Sequence, residues 1–423
     1  MSGLTRQSKS LWMMDAFEMK IMTLNCGSSS IKYSLWDFPA ETKLCSGIVE
    51  RVGMENSFIR HLTHGKEMIQ IHKCQTYDDA INLIFDFMTD KTYGVIKDLR
   101  EVEAVGHRVV HGGLRFNHST IINGSVIKAI EECIVLAPLH NPHNLSGIKS
   151  ATNVIPNVPH VAIFDTAFFT TMPPHVYTYA VPYQWYETYC VRKYGFHGSS
   201  HLYVSKTAAK LLGKRPSEIN VITLHIGNGV SITAVKKGSA YDHSMGFTPL
   251  EGAVMGTRSG DLDVGVALYV MEKENLTPAQ MSNILNKKSG LWGITGKYVD
   301  RRDIIKAAEN GDERAKLATE IECYRLKKYI GAYTAAMGGV DAIAFTAGVG
   351  ENSPLYREKI TKDLEFMGVQ IDPEKNRQAI GGEKESNISG SRSRVAVYVI
   401  PTNEELIFAR EVWAILNDKF KFS

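Results

Sequence analysis

The sequence predicts an α/β fold of two related domains with a cleft between them, and three observations predict it. A chain of 423 residues has room for two or three domains at about 150 residues each. A strand–turn–strand pattern occurs twice, once near the start of each half. Around these hairpins, short apolar runs alternate with stretches of helical spacing, as in layered α/β architectures.

Taken in order, residues 1–18 hold only the short apolar run 11–14, too short for a signal-peptide core, and are expected to be a disordered extension. The run 20–24 is a strand that enters the turn Asn25-Cys26-Gly27-Ser28-Ser29-Ser30 and leaves it as a second strand over 31–36. Helical spacing follows over 77–88, then short apolar strands over 104–110 and 161–164. A helix over 200–212 begins just after His197, with Ser199 or Ser200 as its cap. The second hairpin enters His225-Ile226-Gly227-Asn228-Gly229 from 221–224 and leaves it over 230–235 with period-2 alternation. A long helix over 313–337 precedes a buried strand, 342–345, and then the turn Thr346-Ala347-Gly348-Val349-Gly350-Glu351-Asn352. Ser353-Pro354 starts the next helix, with Ser as N-cap and Pro in the first helical position. Residues 382–393 read as an exposed Gly/Ser-rich loop, and 404–419 as an amphipathic helix returning to the first domain.

Composition removes several classes of function. Lys+Arg 48 against Asp+Glu 45, net +3, is too balanced for a dedicated nucleic-acid or membrane-surface protein. With 44% hydrophobic and 22% charged residues, the chain is neither disordered nor a coiled coil. Its six cysteines form no CxxC pair, which argues against zinc and a disulfide framework and fits a reducing, cytoplasmic setting. No apolar run approaches the length of a membrane span.

The Gly/Asn/Ser turns can present backbone N–H groups to phosphates, although glycine also supplies positive φ in purely structural hairpins. Neither a Walker A motif nor GxGxxG is present, which disfavours P-loop and Rossmann sites. Asn25 and Lys32 flank the first turn as a neutral oxygen ligand and a cation, suited to a metal-bridged phosphate. A cationic set comprises Arg108 at a strand end, His140, His197 ahead of a helix and Arg258 in a Gly-rich loop. Asp165 ends an apolar strand, where α/β folds place ligands, and is equally suited to capping a turn. Glu404-Glu405 opens the last helix, where acidic residues suit either the helix dipole or a metal.

The ordered motifs Asn25-Cys26-Gly27-Ser28-Ser29-Ser30, Gly106-His107-Arg108-Val109-Val110-His111-Gly112-Gly113, Phe164-Asp165-Thr166-Ala167-Phe168, Tyr194-Gly195-Phe196-His197-Gly198, Met255-Gly256-Thr257-Arg258-Ser259-Gly260-Asp261, Phe345-Thr346-Ala347-Gly348-Val349-Gly350-Glu351-Asn352 and Pro401-Thr402-Asn403-Glu404-Glu405 together resemble the acetokinase family. The resemblance spans 20–422. It implies two ribonuclease-H-like domains of the sugar kinase, actin and heat-shock ATPase type, 19–167 plus 404–423 and 168–403, the second bearing the nucleotide site and dimer contacts of a homodimer. It further implies reversible, direct in-line transfer of the ATP γ-phosphoryl group to acetate, giving acetyl phosphate and ADP, with Mg²⁺ or Mn²⁺. By motif position, Asn25 and Glu404 become metal ligands, and Lys32, Ser28 and Ser30 phosphate contacts. His225, Ile226, Gly227, Asn228, Gly229, Gly348, Val349, Gly350, Glu351 and Asn352 would hold nucleotide, with Asp300, Arg301 and Arg302 near the nucleoside. Asp165, His197, Arg258 and His140 form the expected catalytic set. Arg108 would bind the carboxylate, and Val110, Leu139, Phe196 and Pro249 would wall a methyl-sized acyl pocket.

Departures from the family pattern are Phe169-Thr170 in place of His-Gln, His143 in place of a proline, Val264 in place of a proline, and Lys297-Tyr298-Val299 in place of small polar residues before Asp300. The last leaves ATP, GTP and pyrophosphate open as phosphoryl donors. The alternatives to an acetate kinase are a propionate or butyrate kinase of the same family and a non-catalytic nucleotide switch of the actin kind. A long apolar helix in the second half is a candidate dimer surface, which the sequence does not itself identify.

Overall fold

The computed structural model describes residues 18–138, 140–382 and 384–417. The expected extension therefore lies outside the described residues except for Glu18, as does Leu139 of the expected acyl pocket. The described residues fall into two compact units, one within Met1–Val110, Ser119–Ile163 and Glu405–Ser423, the other within His111–His118 and Phe164–Glu404. These bounds differ from the expected ones chiefly at 111–118, which packs with the second unit. Gly112 N–H donates to the Thr166 hydroxyl, and Phe116 stacks on Phe164.

The first unit runs through β1 (Met19–Cys26), β2 (Ser30–Phe38), β3 (Thr42–Glu50), β4 (Phe58–Thr63), β5 (Lys66–Ile71), α1 (Tyr77–Thr89), β6 (Ala104–Val109), β7 (Thr120–Ile121), α2 (Gly124–Glu132), α3 (Asn141–Val154) and β8 (His160–Phe164). Its sheet order is β5-β4-β3-β2-β1-β6-β8-β7, with β1 antiparallel to β2 and parallel to β6. Successive residues of β1 serve opposite faces, as strand geometry requires. Met22 and Leu24 pack into the core under α1, whereas Ile21 packs with Trp36, Val161 and Ile163.

The second unit contains α4 (Pro174–Tyr177), α5 (Gln184–Tyr189), α6 (Gly198–Leu211), β9 (Asn220–Ile226), β10 (Val230–Lys236), β11 (Ser239–His243), α7 (Val264–Glu274), α8 (Pro278–Lys287), α9 (Gly290–Thr295), α10 (Arg301–Glu309), α11 (Glu313–Met337), β12 (Ala342–Thr346), α12 (Ala347–Asn352), α13 (Pro354–Thr361), α14 (Pro373–Gln378), β13 (Ser386–Asn387) and β14 (Ala396–Val399). The sheet order is β11-β10-β9-β12-β14-β13, with β9 antiparallel to β10 and parallel to β12. The central arrangement of the first sheet is thus repeated, and the two hairpins read in the sequence occupy equivalent places in it. The final helix, α15 (Glu404–Leu416), returns to the first unit, where Phe408, Ala409 and Val412 join the core around Ile21 and Trp36. Gly106 permits this close approach, since a Cβ there would lie 2.7 Å from Val412 Cγ2.

Local signals account for most element ends. Asp312 caps α11 by accepting from the Arg314 and Ala315 N–H groups, and Gly338 closes it at φ 78°. Ser353 caps α13 with Pro354 in its first turn. Three expectations change. Thr346–Asn352, read as a turn, contains the short helix α12. The segment read as an exposed loop over 382–393 contains β13, and Ile388 is fully buried. The N-cap of α6 is His197 at φ 58°, with no side-chain cap, so neither Ser199 nor Ser200 serves that purpose. No helix among the described residues is long and apolar enough to cross a membrane.

Candidate active site

In the second unit, the glycine turn between β9 and β10 is the focus of the expected site. A Cβ added at Gly229 would lie 3.6 Å from His197 Nε2 and 3.9 Å from Arg258 Nη1. The backbone of the turn is therefore bracketed by an imidazole and a guanidinium, and an alanine at Gly229 would project into the space they line. Arg258 is held there by donating from Nη1 to the Pro249 carbonyl at 2.9 Å, with the Met255 thioether at 3.6 Å. Both partners are uncharged. Burial pulls the Arg258 pKa below its ordinary value, yet a guanidinium remains cationic. Gly260 at φ 67° closes the loop that carries it. Asp261 N–H donates to the Gly252 carbonyl, and its carboxylate accepts from Gly252 N–H and from the Tyr329 hydroxyl on α11.

His197 stacks on His225 with ring centroids 4.3 Å apart. His225 Nδ1 lies 2.9 Å from the Ser200 hydroxyl, which in turn lies 3.2 Å from that of Thr402. Thr402 N–H donates to the Glu351 carboxylate at 3.0 Å. The second-hairpin turn, the start of α6, α12 and the segment ahead of Glu404 are thereby linked by hydrogen bonds. Asp165 is buried, and its carbonyl accepts from Gly198 N–H, fixing the entry to α6. Phe196 is buried, with its N–H donating to His243 Nε2 at 3.1 Å.

The adjacent arginines of α10 separate sharply. Arg301 is buried and makes a bidentate pair with the fully buried Glu322 of α11, from Nε at 3.0 and 3.1 Å and Nη2 at 2.5 Å. Burial alone would lower its pKa, and the Glu322 charge and hydrogen bonds more than offset this, so it is raised. Arg301 Nη1 also donates to the Gly227 carbonyl at 2.9 Å, bracing the turn from behind. Arg302 faces solvent, its guanidinium engaged by Asp300, whose carboxylate also caps α10 and is held down to about 2 by those bonds. Beneath α12, the fully buried Arg357 donates to the carbonyls of Gly350 and Glu351 and to Asn376. That anchor holds the glycine-rich segment Gly348–Asn352.

In the first unit, Asn25 and Lys32 face each other across the β1–β2 pair, and Gly27 N–H donates to the Ser30 carbonyl. Lys32 and Ser28 are exposed. Arg108 lies in β6, one residue before its end, and Val110 follows in a buried position. Asn144 of α3 ties these elements together. Its amide nitrogen donates to the Cys26 carbonyl at 2.8 Å, its oxygen accepts from Val110 N–H at 3.1 Å, and its own N–H donates to the His140 carbonyl.

Asn144, His201, Ser231, Glu322 and Arg357 have no role assigned from the sequence, and Ser200 reads there only as a helix cap. Of these, His201 carried a readable signal, since it lies one helical turn from His197.

The model of the Acetokinase family matches residues 20–410. The chain is 54% identical over 403 residues to an acetate kinase of Geobacter sulfurreducens, covering 95% of this chain and 96% of the relative. Among solved structures, it is similar to the acetate kinase of Porphyromonas gingivalis, with a TM-score of 0.90, 48% identity and coverage of 94% of this chain and 100% of the other. It is also similar to a propionate kinase from Francisella tularensis, with a TM-score of 0.87, 40% identity and coverage of 93% and 99%.

Proposed function

The chain belongs to the acetokinase family, and from that premise we propose that it transfers the γ-phosphoryl group of ATP reversibly to acetate, giving acetyl phosphate and ADP. The geometry that supports this reading best is the Gly229 turn with His197 Nε2 and Arg258 Nη1 beside it. The acceptor is already ionised, so the chemical difficulty is bringing two anions together rather than activating a nucleophile. At about 4 Å and an effective dielectric near 20, each unit charge pair is worth roughly 4 kcal/mol. Arg108 binds the acetate carboxylate, while Arg258 and His197 donate to the oxygens of the transferring group. His140 assists as transfer begins, and Asp165 orients the cationic groups. The turn from His225 to Gly229 and the segment Gly348–Asn352 present backbone N–H groups to the nucleotide phosphates. Arg301 braces this turn from within, and Asp300 with Arg302 lies toward the nucleoside.

A divalent ion suits the donors. The Asn25 amide and the Glu404 carboxylate are hard oxygen ligands of the sort that Mg²⁺ accepts alongside phosphate and water. When bound, Mg²⁺ would neutralise phosphate charge, and Lys32 would add a further cation.

Acetyl hydroxamate formed in a trap assay with MgATP and acetate is the expected result, and its absence with folded protein would sink the proposal. The Francisella neighbour makes propionate the rival substrate. Val110, Phe196 and Pro249 with Leu139 favour the smaller acyl group. Acetate should exceed propionate in kcat/KM by roughly tenfold or more, since one methylene is worth about 1–3 kcal/mol. A larger kcat/KM for propionate or butyrate would reassign the substrate.

The reading extends to a cytoplasmic homodimer, supported by free cysteines throughout and by an uncovered apolar face. None of the residues of α7 is buried, and Val264, Val266, Leu268 and Tyr269 are exposed along it, whereas the longer α11 buries a full stripe. Sedimentation should give twice the mass of one chain, and Val264→Glu combined with Leu268→Glu should shift it to the monomer. A monomeric parent would remove this part of the proposal.

A further inference from the structure

Gly229 faces the Nε2 side of the His197 ring, while the other nitrogen, Nδ1, lies 2.8 Å from the Ser231 hydroxyl. Ser231 is fully buried in β10, and the same hydroxyl lies 2.8 Å from Nε2 of the fully buried His201. His201 Nδ1 lies 2.6 Å from the Thr223 hydroxyl on β9. These contacts form a ladder, Thr223–His201–Ser231–His197, within one unit.

Proton counting restricts what the ladder can do. A hydroxyl has one proton, so Ser231 donates to one imidazole and accepts from the other. Burial, with His243 and His225 nearby, holds His201 well below the ordinary histidine pKa, so it is neutral and carries a single N–H. In one arrangement Thr223 donates to His201 Nδ1, His201 Nε2–H donates to Ser231, and Ser231 donates to His197 Nδ1. Neutral His197 then keeps its proton on Nε2. In the reverse arrangement, neutral His197 would present a lone pair at Nε2, where an anionic oxygen needs a donor.

We propose that Ser231 and His201 are positioning residues that hold the neutral form of His197 in the Nε2–H tautomer, as a hydrogen-bond donor to the transferring phosphoryl group. The role of the donor rests on the reading of His197 given above, while the tautomer itself does not.

Ser231→Ala removes the donor to Nδ1. Nitrogen NMR of ligand-free enzyme carrying isotope-labelled histidine should show His197 predominantly as Nε2–H in the parent and shifted toward Nδ1–H in the variant. Turnover should fall roughly ten- to a hundredfold in kcat, with KM for acetate and ATP changed by no more than about twofold. Ser231→Thr, which retains the hydroxyl, should retain both properties. An unchanged tautomer in Ser231→Ala overturns the proposal, and so does a shifted tautomer with unchanged kcat. If Ser231→Ala does not fold, Ser231→Cys, whose thiol is only a weak donor to Nδ1, is scored the same way. A fully active His197→Ala would instead remove His197 from catalysis, a result distinct from any change in tautomer.

Discussion

Replacement of Arg258 by alanine should lower kcat/KM at least about a hundredfold while leaving the fold intact, the loss expected when one charged donor to a developing anion is removed. The hydrogen-bond partners of Arg258 are a carbonyl and a thioether, neither of which compensates its charge. Arg258 is partly buried, and desolvating a cation is costly unless it meets an anion, which under the proposed function is the phosphoryl group. The loop that carries it is closed by two bonds between Asp261 and Gly252 and pinned to α11 through Tyr329, so little reorganisation remains when substrate arrives. Arg258→Lys keeps the charge without the planar fork and should recover only part of the loss. Steady-state kinetics with thermal unfolding as a control provides the measurement. A kcat/KM within about tenfold of the parent would show that Arg258 does not contact the reacting group.

How much of this was readable from the sequence depends on the range of the interactions. The repeated hairpins, the long helix α11 and the Ser353-Pro354 start are set by neighbouring residues, and each appears where local pattern places it. Ser200 shows where local reasoning ends. Near a helix start a serine reads as a cap, but its hydroxyl serves His225 and Thr402, residues distant in the chain that the sheet brings close. His197 takes the N-cap position in a left-handed conformation instead. The segment after Gly382 misled for the opposite reason. Its Gly/Ser content describes the flanks, while Ile388 is drawn into the core between β13 and β14. Of the expected site, the candidate residues were visible because glycine, histidine and arginine clustered in short motifs. Their supports were not, since Asn144, Ser231 and Glu322 are ordinary residues until the fold assigns each a partner.

Glu322→Ala should lower the free energy of unfolding by about 3–5 kcal/mol, since it leaves the buried Arg301 guanidinium without its counter-charge. Arg301 and Glu322 are 5% and 0% exposed, so solvent can do little to replace the lost partner. The same guanidinium braces Gly227, and disturbing it loosens the turn proposed to hold phosphate. Stability and positioning can be separated with a double variant. Arg301→Met with Glu322→Leu replaces the pair by apolar groups and should recover most of the lost stability, because well-packed hydrophobic substitutes for buried ion pairs are often neutral or better. It should raise KM for ATP, since Arg301→Met removes the donor to the Gly227 carbonyl. Urea unfolding and KM for ATP, measured on Glu322→Ala and on the double variant, test both halves. A loss below about 1 kcal/mol in Glu322→Ala would mean that the pair is already screened. Parental KM for ATP in the double variant would mean that the turn keeps its shape without Arg301.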